Sequence, residues 1–69
     1  MDALTIKATD YLSRQSMEDF IRTECGDDIQ ANRAAGHVIT GTADELKALG
    51  LSATSRIFGI KVVVATDGQ

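Results

Sequence analysis

The sequence predicts a small α+β domain, and three observations lead to that prediction. The chain has 69 residues, which is enough for one domain at most. Its last apolar run, residues 57–65, is rich in β-branched side chains and needs neighbouring strands and an apolar cover. Two upstream segments carry apolar residues at helical spacing behind capping signals. An antiparallel sheet covered on one face by two helices satisfies all three observations.

The first two predicted elements are a strand over residues 3–9 and a helix over about 13–25. In the strand, apolar and polar residues alternate, which is the period of two expected when one face is buried. In the helix, apolar residues recur three and four positions apart: Met17, Phe20, Ile21 and Cys25. Three residues compete as the helix cap: Asp10, Ser13 and Ser16. Gly26 is a natural place for the helix to end.

Residues 27–40 are predicted to form a hairpin. Apolar and polar residues alternate over 29–32, which indicates an edge strand. Residues 33–36 have the composition of a turn, because Gly36 is free to adopt a positive φ. Residues 37–40 then supply the returning strand.

A second helix is predicted over about 43–49, because Thr42 and Glu45 fit the capping box and Gly50 stands where helices end. The resulting order, β-α-β-β-α-β, is that of ferredoxin-like domains, with the last strand at a sheet edge. Lys61 within the last run favours that edge position. The strongly apolar character of the run favours the alternative, a related α+β topology with the last strand inside the sheet. Residues 67–69 are expected to be frayed.

Composition restricts the partners and the compartment. Ten acidic and seven basic residues give a net charge of −3, whereas a general nucleic-acid binder is expected to be strongly basic. The single cysteine excludes an internal disulfide and favours a reducing compartment. No apolar stretch approaches the roughly 18–20 residues of a membrane span, and the N-terminus lacks a signal-peptide pattern. We therefore expect a cytoplasmic protein that does not engage a membrane.

The residues that could carry chemistry do not assemble a recognisable site. Cys25 and His37 are the obvious nucleophile and base, but Cys25 ends a helix beside acidic residues, which raise a thiol pKa. The same two residues are the only soft metal ligands, too few for zinc. His37 alone is expected to be a partly exposed residue at the start of a strand. We therefore expect no catalytic residue, no metal and no cofactor, and no small-molecule substrate is evident.

The favoured functional hypothesis is a non-catalytic protein–protein interaction module that regulates or inhibits a larger protein. Phage-type and mobile-element inhibitors of bacterial defence systems belong to this class. The reasons are the missing site, the small core and strand edges that can accept a partner, in a homodimer or on a target. The residues expected to contact the partner are Lys61, Arg56, Glu18 and Arg22.

Two alternatives remain open at this stage. The first is a small nucleic-acid-binding module that uses the sheet face, with scattered basic residues near the backbone: Lys7, Arg33, Arg56 and Lys61. Phe58 is the only aromatic residue placed to stack on a base. The second alternative is a small thiol-dependent enzyme that works through Cys25.

Overall fold

The computed structural model describes residues 3–65, which form a four-stranded sheet and three α-helices. The elements in chain order are β1 (Thr5–Lys7), a 3₁₀ turn (Ala8–Asp10), α1 (Arg14–Glu24), α2 (Ile29–Ala35), β2 (Val38–Gly41), α3 (Ala43–Ala48), β3 (Arg56–Ile57) and β4 (Ile60–Val64). The prediction of a small α+β domain is confirmed. The expectation for residues 67–69 lies outside the described residues.

The sheet is mixed, with the strand order β1-β2-β4-β3. β2 pairs in parallel with both β1 and β4, and only β3 and β4 are antiparallel. Ile6, Ile39 and Val62 lie side by side across the three parallel strands. The predicted antiparallel sheet with ferredoxin-like order is therefore replaced by the alternative, in which the last strand lies inside the sheet.

Residues 29–35 form helix α2, so the predicted hairpin over 27–40 is wrong. The Asp28 side chain caps this helix by accepting a hydrogen bond from the Ala31 amide at 3.1 Å. Gly36 ends it in the left-handed conformation at φ 79°. A short alternation of apolar and polar residues fits either a strand or a helix, and here the two capping residues favour the helix.

The C-terminal apolar run folds back on itself as a hairpin and is not a single strand. Phe58 and Gly59 form a two-residue turn with φ of 51° and 84°, the pattern of a type I′ turn. Ile57 and Ile60 then face each other across β3 and β4. Phe58 is therefore only partly buried, and a positive φ at an aromatic residue needs support from its surroundings.

Asn32 supplies that support from helix α2. Its side chain is only 2% exposed, and its Nδ2 donates to the Phe58 carbonyl at 2.9 Å and to the Gly26 carbonyl at 3.0 Å. One buried amide group therefore joins α2 to the hairpin turn and to the loop that follows α1.

The core is aliphatic and lies on one face of the sheet. α1 and α3 contribute Met17, Ile21 and Leu46 to the same cluster as the inward residues of the strands. The buried apolar residues are Ile6, Ala8, Met17, Ile21, Ile39, Leu46, Leu49, Leu51, Ile57, Ile60 and Val62. Phe20, expected on the apolar stripe of the first helix, is 37% exposed and packs at the rim against Tyr11, with 5.7 Å between ring centroids.

Replacement of Gly59 by alanine is expected to destabilise the protein more than the same change at Gly26. Both glycines have a positive φ, so each variant incurs about 1 kcal/mol of backbone strain. A Cβ at Gly59 would also collide with the Ile29 carbonyl oxygen, whereas one at Gly26 meets nothing within 4 Å. Chemical denaturation should give Gly59→Ala an additional loss of about 1–3 kcal/mol. Equal losses would show that α2 does not approach the turn closely.

Thr42→Ala is expected to lower the free energy of unfolding by about 1 kcal/mol. The Thr42 hydroxyl accepts from the Glu45 amide at 3.2 Å, and Glu45 Oε1 accepts from the Thr42 amide at 2.9 Å. Thr42→Ser keeps the hydroxyl and is the control. Urea denaturation that gives Ala and Ser variants the same midpoint would contradict the cap.

Candidate functional site

Within residues 3–65, one face of the sheet has no helix over it. Because side chains alternate along a strand, the neighbours of the buried Ile6, Ile39 and Val62 point to the other face. We term this surface the open face, and its residues are Thr5, Lys7, Val38, Thr40, Arg56, Lys61 and Val63. Val38 and Thr40 are half-buried and the other five are exposed.

Charge is segregated between the two sides of the molecule. Within residues 3–65, every carboxylate lies on a helix, on the 3₁₀ turn or in the loop before α2, and no strand carries one. Arg14 and Arg22 are neutralised on α1 by Glu18 and Asp19, at 3.0 Å and 2.8 Å. The three cations of the open face form no ion pair with any residue that the structure describes. A protein of negative net charge therefore presents a positive sheet face.

Of the three cations on the open face, Arg56 and Lys61 are paired directly with each other in the sheet. They face each other directly across the antiparallel pair of β3 and β4, and Val38 on β2 continues the same row. Like charges directly opposite in a sheet are destabilising. This repulsion has no compensating carboxylate in the described part of the chain, so an anion from outside would relieve it.

A cavity of about 250 Å³ opens at the Arg56 and Lys61 end of the open face. We term it the basic cavity, and its lining residues are Arg33, Gly36, His37, Val38, Arg56, Gly59 and Lys61. The last turn of α2 supplies Arg33, and the hairpin supplies the opposed cations. Among the described residues, 3–65, no carboxylate lines the cavity.

His37 is buried at the edge of this cavity and is not the partly exposed residue that the sequence predicts. It is only 3% exposed, and its Nδ1 accepts a hydrogen bond from the Leu4 amide at 2.8 Å. The hydrogen bond ties the segment before β1 to the start of β2. It also requires Nδ1 to be unprotonated, so the neutral ring carries its proton on Nε2.

Cys25 has the environment of an unreactive thiol. It caps the C-terminal end of α1 and packs partly buried against the core. Burial raises the pKa of the Cys25 thiol, and the Glu24 carboxylate raises it further. The sequence predicts the direction of this pKa shift from the acidic neighbours, but burial is the larger cause.

The structure separates the four residues that the sequence proposes as partner contacts. Lys61 and Arg56 are cross-strand neighbours on the open face. Glu18 and Arg22 lie on α1, whose buried residues pack on the other face of the sheet, and they are 3.9 Å apart in an ion pair. The cation of Arg22 also lies 5.6 Å from the centre of the Phe58 ring. The α1 pair is therefore part of a self-compensated helix surface.

The fold also gathers cations that look scattered along the sequence. Lys7, Arg56 and Lys61 share the open face, and Arg33 joins the last two around the basic cavity. Sequence reasoning missed Val38, Thr40 and Val63 as members of this surface. The period of two in β4 carries part of the signal, because it places Lys61 and Val63 on one face.

A second cavity, of about 320 Å³, is mostly apolar and lies between α3 and the end of β4. Its lining residues are Ala43, Leu46, Lys47, Leu51, Ser52, Ala53 and Val64. Among the residues that the structure describes, only Lys47 is charged at this cavity, so it offers no cluster of charged groups.

No known protein family, curated protein or solved structure matches this chain. Across residues 3–65, no group of three or more His, Cys, Asp or Glu side chains is placed to hold a metal ion. None of the helices in that range is long and apolar enough to cross a membrane.

Alkylation of Cys25 by iodoacetamide at mildly alkaline pH is expected to be slower in the folded protein than in urea. The raised pKa leaves a smaller fraction of the nucleophilic thiolate, and partial burial restricts access. Mass spectrometry of timed samples gives both rates. A folded-state rate equal to or above the unfolded rate would contradict this description and favour a reactive thiol.

Proposed function

We propose that this chain is a non-catalytic protein–protein interaction module that regulates or inhibits a larger protein through its open face. One observation carries the proposal. Lys7, Arg56 and Lys61 share the sheet face that no helix covers, and none of them is ion-paired within residues 3–65. A cationic face left without internal counter-charges suits a partner that supplies them.

The partner that fits this face is a protein with a carboxylate-rich patch. Val38 and Val63 give the face an apolar centre, and the three cations surround it. Protein interfaces commonly combine an apolar centre with a polar rim, and complementary charge accelerates association and excludes wrong partners. The acidic helix side of this chain would repel the same partner, which favours docking by the sheet alone.

A non-catalytic role is supported by the state of the two residues that could perform nucleophilic chemistry. Burial raises the pKa of the Cys25 thiol, and the Glu24 carboxylate raises it further, which disfavours the nucleophilic thiolate. His37 commits its Nδ1 to the Leu4 amide, so that nitrogen is not free to act as a base.

A nucleic-acid-binding module is the second candidate, because the fold gathers Lys7, Arg33, Arg56 and Lys61. The open face carries no aromatic side chain, however. Stacking on aromatic rings contributes about 1–3 kcal/mol per base in single-strand binders. Phe58 lies in the hairpin turn, partly buried and beside Arg22. The candidate would depend on phosphate contacts alone and ranks second.

Affinity capture with charge-reversed baits is expected to identify the docking face. Lys61→Glu and Lys47→Glu change the charge equally, but Lys61 is on the open face and Lys47 is on α3. The wild type and Lys47→Glu should capture the same acidic protein from the native host, and Lys61→Glu should lose it. Retention by Lys61→Glu at wild-type level would exclude the open face.

Two measurements on the purified chain complete this test. Light scattering distinguishes a homodimer from a monomer that requires a partner, and a monomer with empty captures would contradict the proposal. Oligonucleotide binding that weakens with added salt, and that Lys61→Glu abolishes, would favour the nucleic-acid candidate instead.

A further inference from the structure

We infer that the basic cavity binds the phosphate group of a small phosphomonoester. Three cations line this cavity, from Arg33, Arg56 and Lys61, and no carboxylate of residues 3–65 lines it. The inference goes beyond the proposed function and does not require a protein partner, because a small anion occupies the cavity and not the whole open face.

The register of the hairpin supplies the first argument. Arg56 and Lys61 are directly opposed, so their side chains leave the sheet on the same side and lie close together. An oxyanion between them replaces one repulsive contact with two attractive ones. The arginine fork matches two phosphate oxygens, and the lysine ammonium acts as a point charge beside it.

His37 supplies the second argument. The Leu4 amide holds Nδ1, so in the neutral ring Nε2 is a hydrogen-bond donor. His37 lines the cavity, and within residues 3–65 no buried side-chain nitrogen or oxygen lacks a hydrogen-bond partner, so Nε2 is not an unsatisfied buried donor. A ring N–H at the wall of a cationic cavity can add a hydrogen bond to an anion that the three cations attract.

Size and charge select the ligand class. The volume of about 250 Å³ is below the roughly 300–1,000 Å³ of pockets for drug-sized ligands, so a small group fits better than a large cofactor. A phosphate dianion compensates several cations at once, which a monovalent carboxylate does not. Arg33 also balances the negative end of α2, which leaves Arg56 and Lys61 as the principal ligands.

The test is an NMR titration of backbone amides in a buffer without phosphate, at constant ionic strength set by chloride. Inorganic phosphate, glycerol phosphate and AMP are added separately. We expect saturable shifts at Gly36, His37, Gly59 and Lys61 with the first two ligands. Arg56→Gln and Lys61→Gln should each weaken binding about tenfold, the effect of losing one charge-assisted hydrogen bond.

Lys7→Gln is the matched control, since Lys7 is a cation of the same face that does not line the cavity. It should change the affinity less than about twofold, because β2 separates β1 from β4, and exposed charges about 10 Å apart are largely screened. If all three variants weakened phosphate binding equally, binding would reflect general charge attraction to the open face, and the proposed site would be overturned. The site would also be overturned if AMP bound but inorganic phosphate and glycerol phosphate did not, or if none of the three ligands bound. Partner capture without phosphate binding would refute this inference and leave the proposed function standing.

Discussion

The close approach of α2 to the hairpin turn is the constraint on which the rest of the structure depends. Gly59 lies so near the Ile29 carbonyl that no side chain fits there, and Asn32 donates a hydrogen bond to the Phe58 carbonyl. These contacts hold two successive residues at positive φ and so divide the C-terminal run into β3 and β4. The division places Arg56 opposite Lys61, and the same helix brings Arg33 to the cavity between them.

The open face follows from the direction of the chain connections. The chain moves from β1 to β2 and then to β4, which are successive neighbours in one direction across the sheet. Parallel strands are joined by right-handed crossovers, so two steps in one direction place their helices on the same face. α1 and α3, which contribute Met17, Ile21 and Leu46 to one core, are therefore on the same side, and residues 3–65 contain no element that covers the other. Within residues 3–65 no strand carries a carboxylate, so Lys7, Arg56 and Lys61 on the open face lack acidic neighbours on the sheet, whereas the carboxylates lie with the other cations on or beside the helices.

Much of the local structure could be predicted from the sequence, because its determinants are near neighbours. Ser13 was one of three candidate caps for α1, and its hydroxyl accepts from the Ser16 amide at 3.2 Å. The capping box of α3 formed as expected. The site was predicted only in part: Lys61 and Arg56 belong together, whereas Glu18 and Arg22 are committed to each other on α1. The residues that surround each pair come from distant parts of the chain. They can be identified only once the neighbouring strands and helices are known.

The sequence by itself determined the fold class, the capping box of α3 and the alternation of inward and outward residues in β1. All of these depend on residues within a turn or two of one another. Only the tertiary structure decided that residues 29–35 are a helix, that β4 is an interior strand and that three distant cations, Arg33, Arg56 and Lys61, line one cavity. The short segment 29–35 is compatible with a helix or a strand. Its conformation is therefore chosen by long-range contacts, here those of Asn32 and Gly59, that no local pattern encodes.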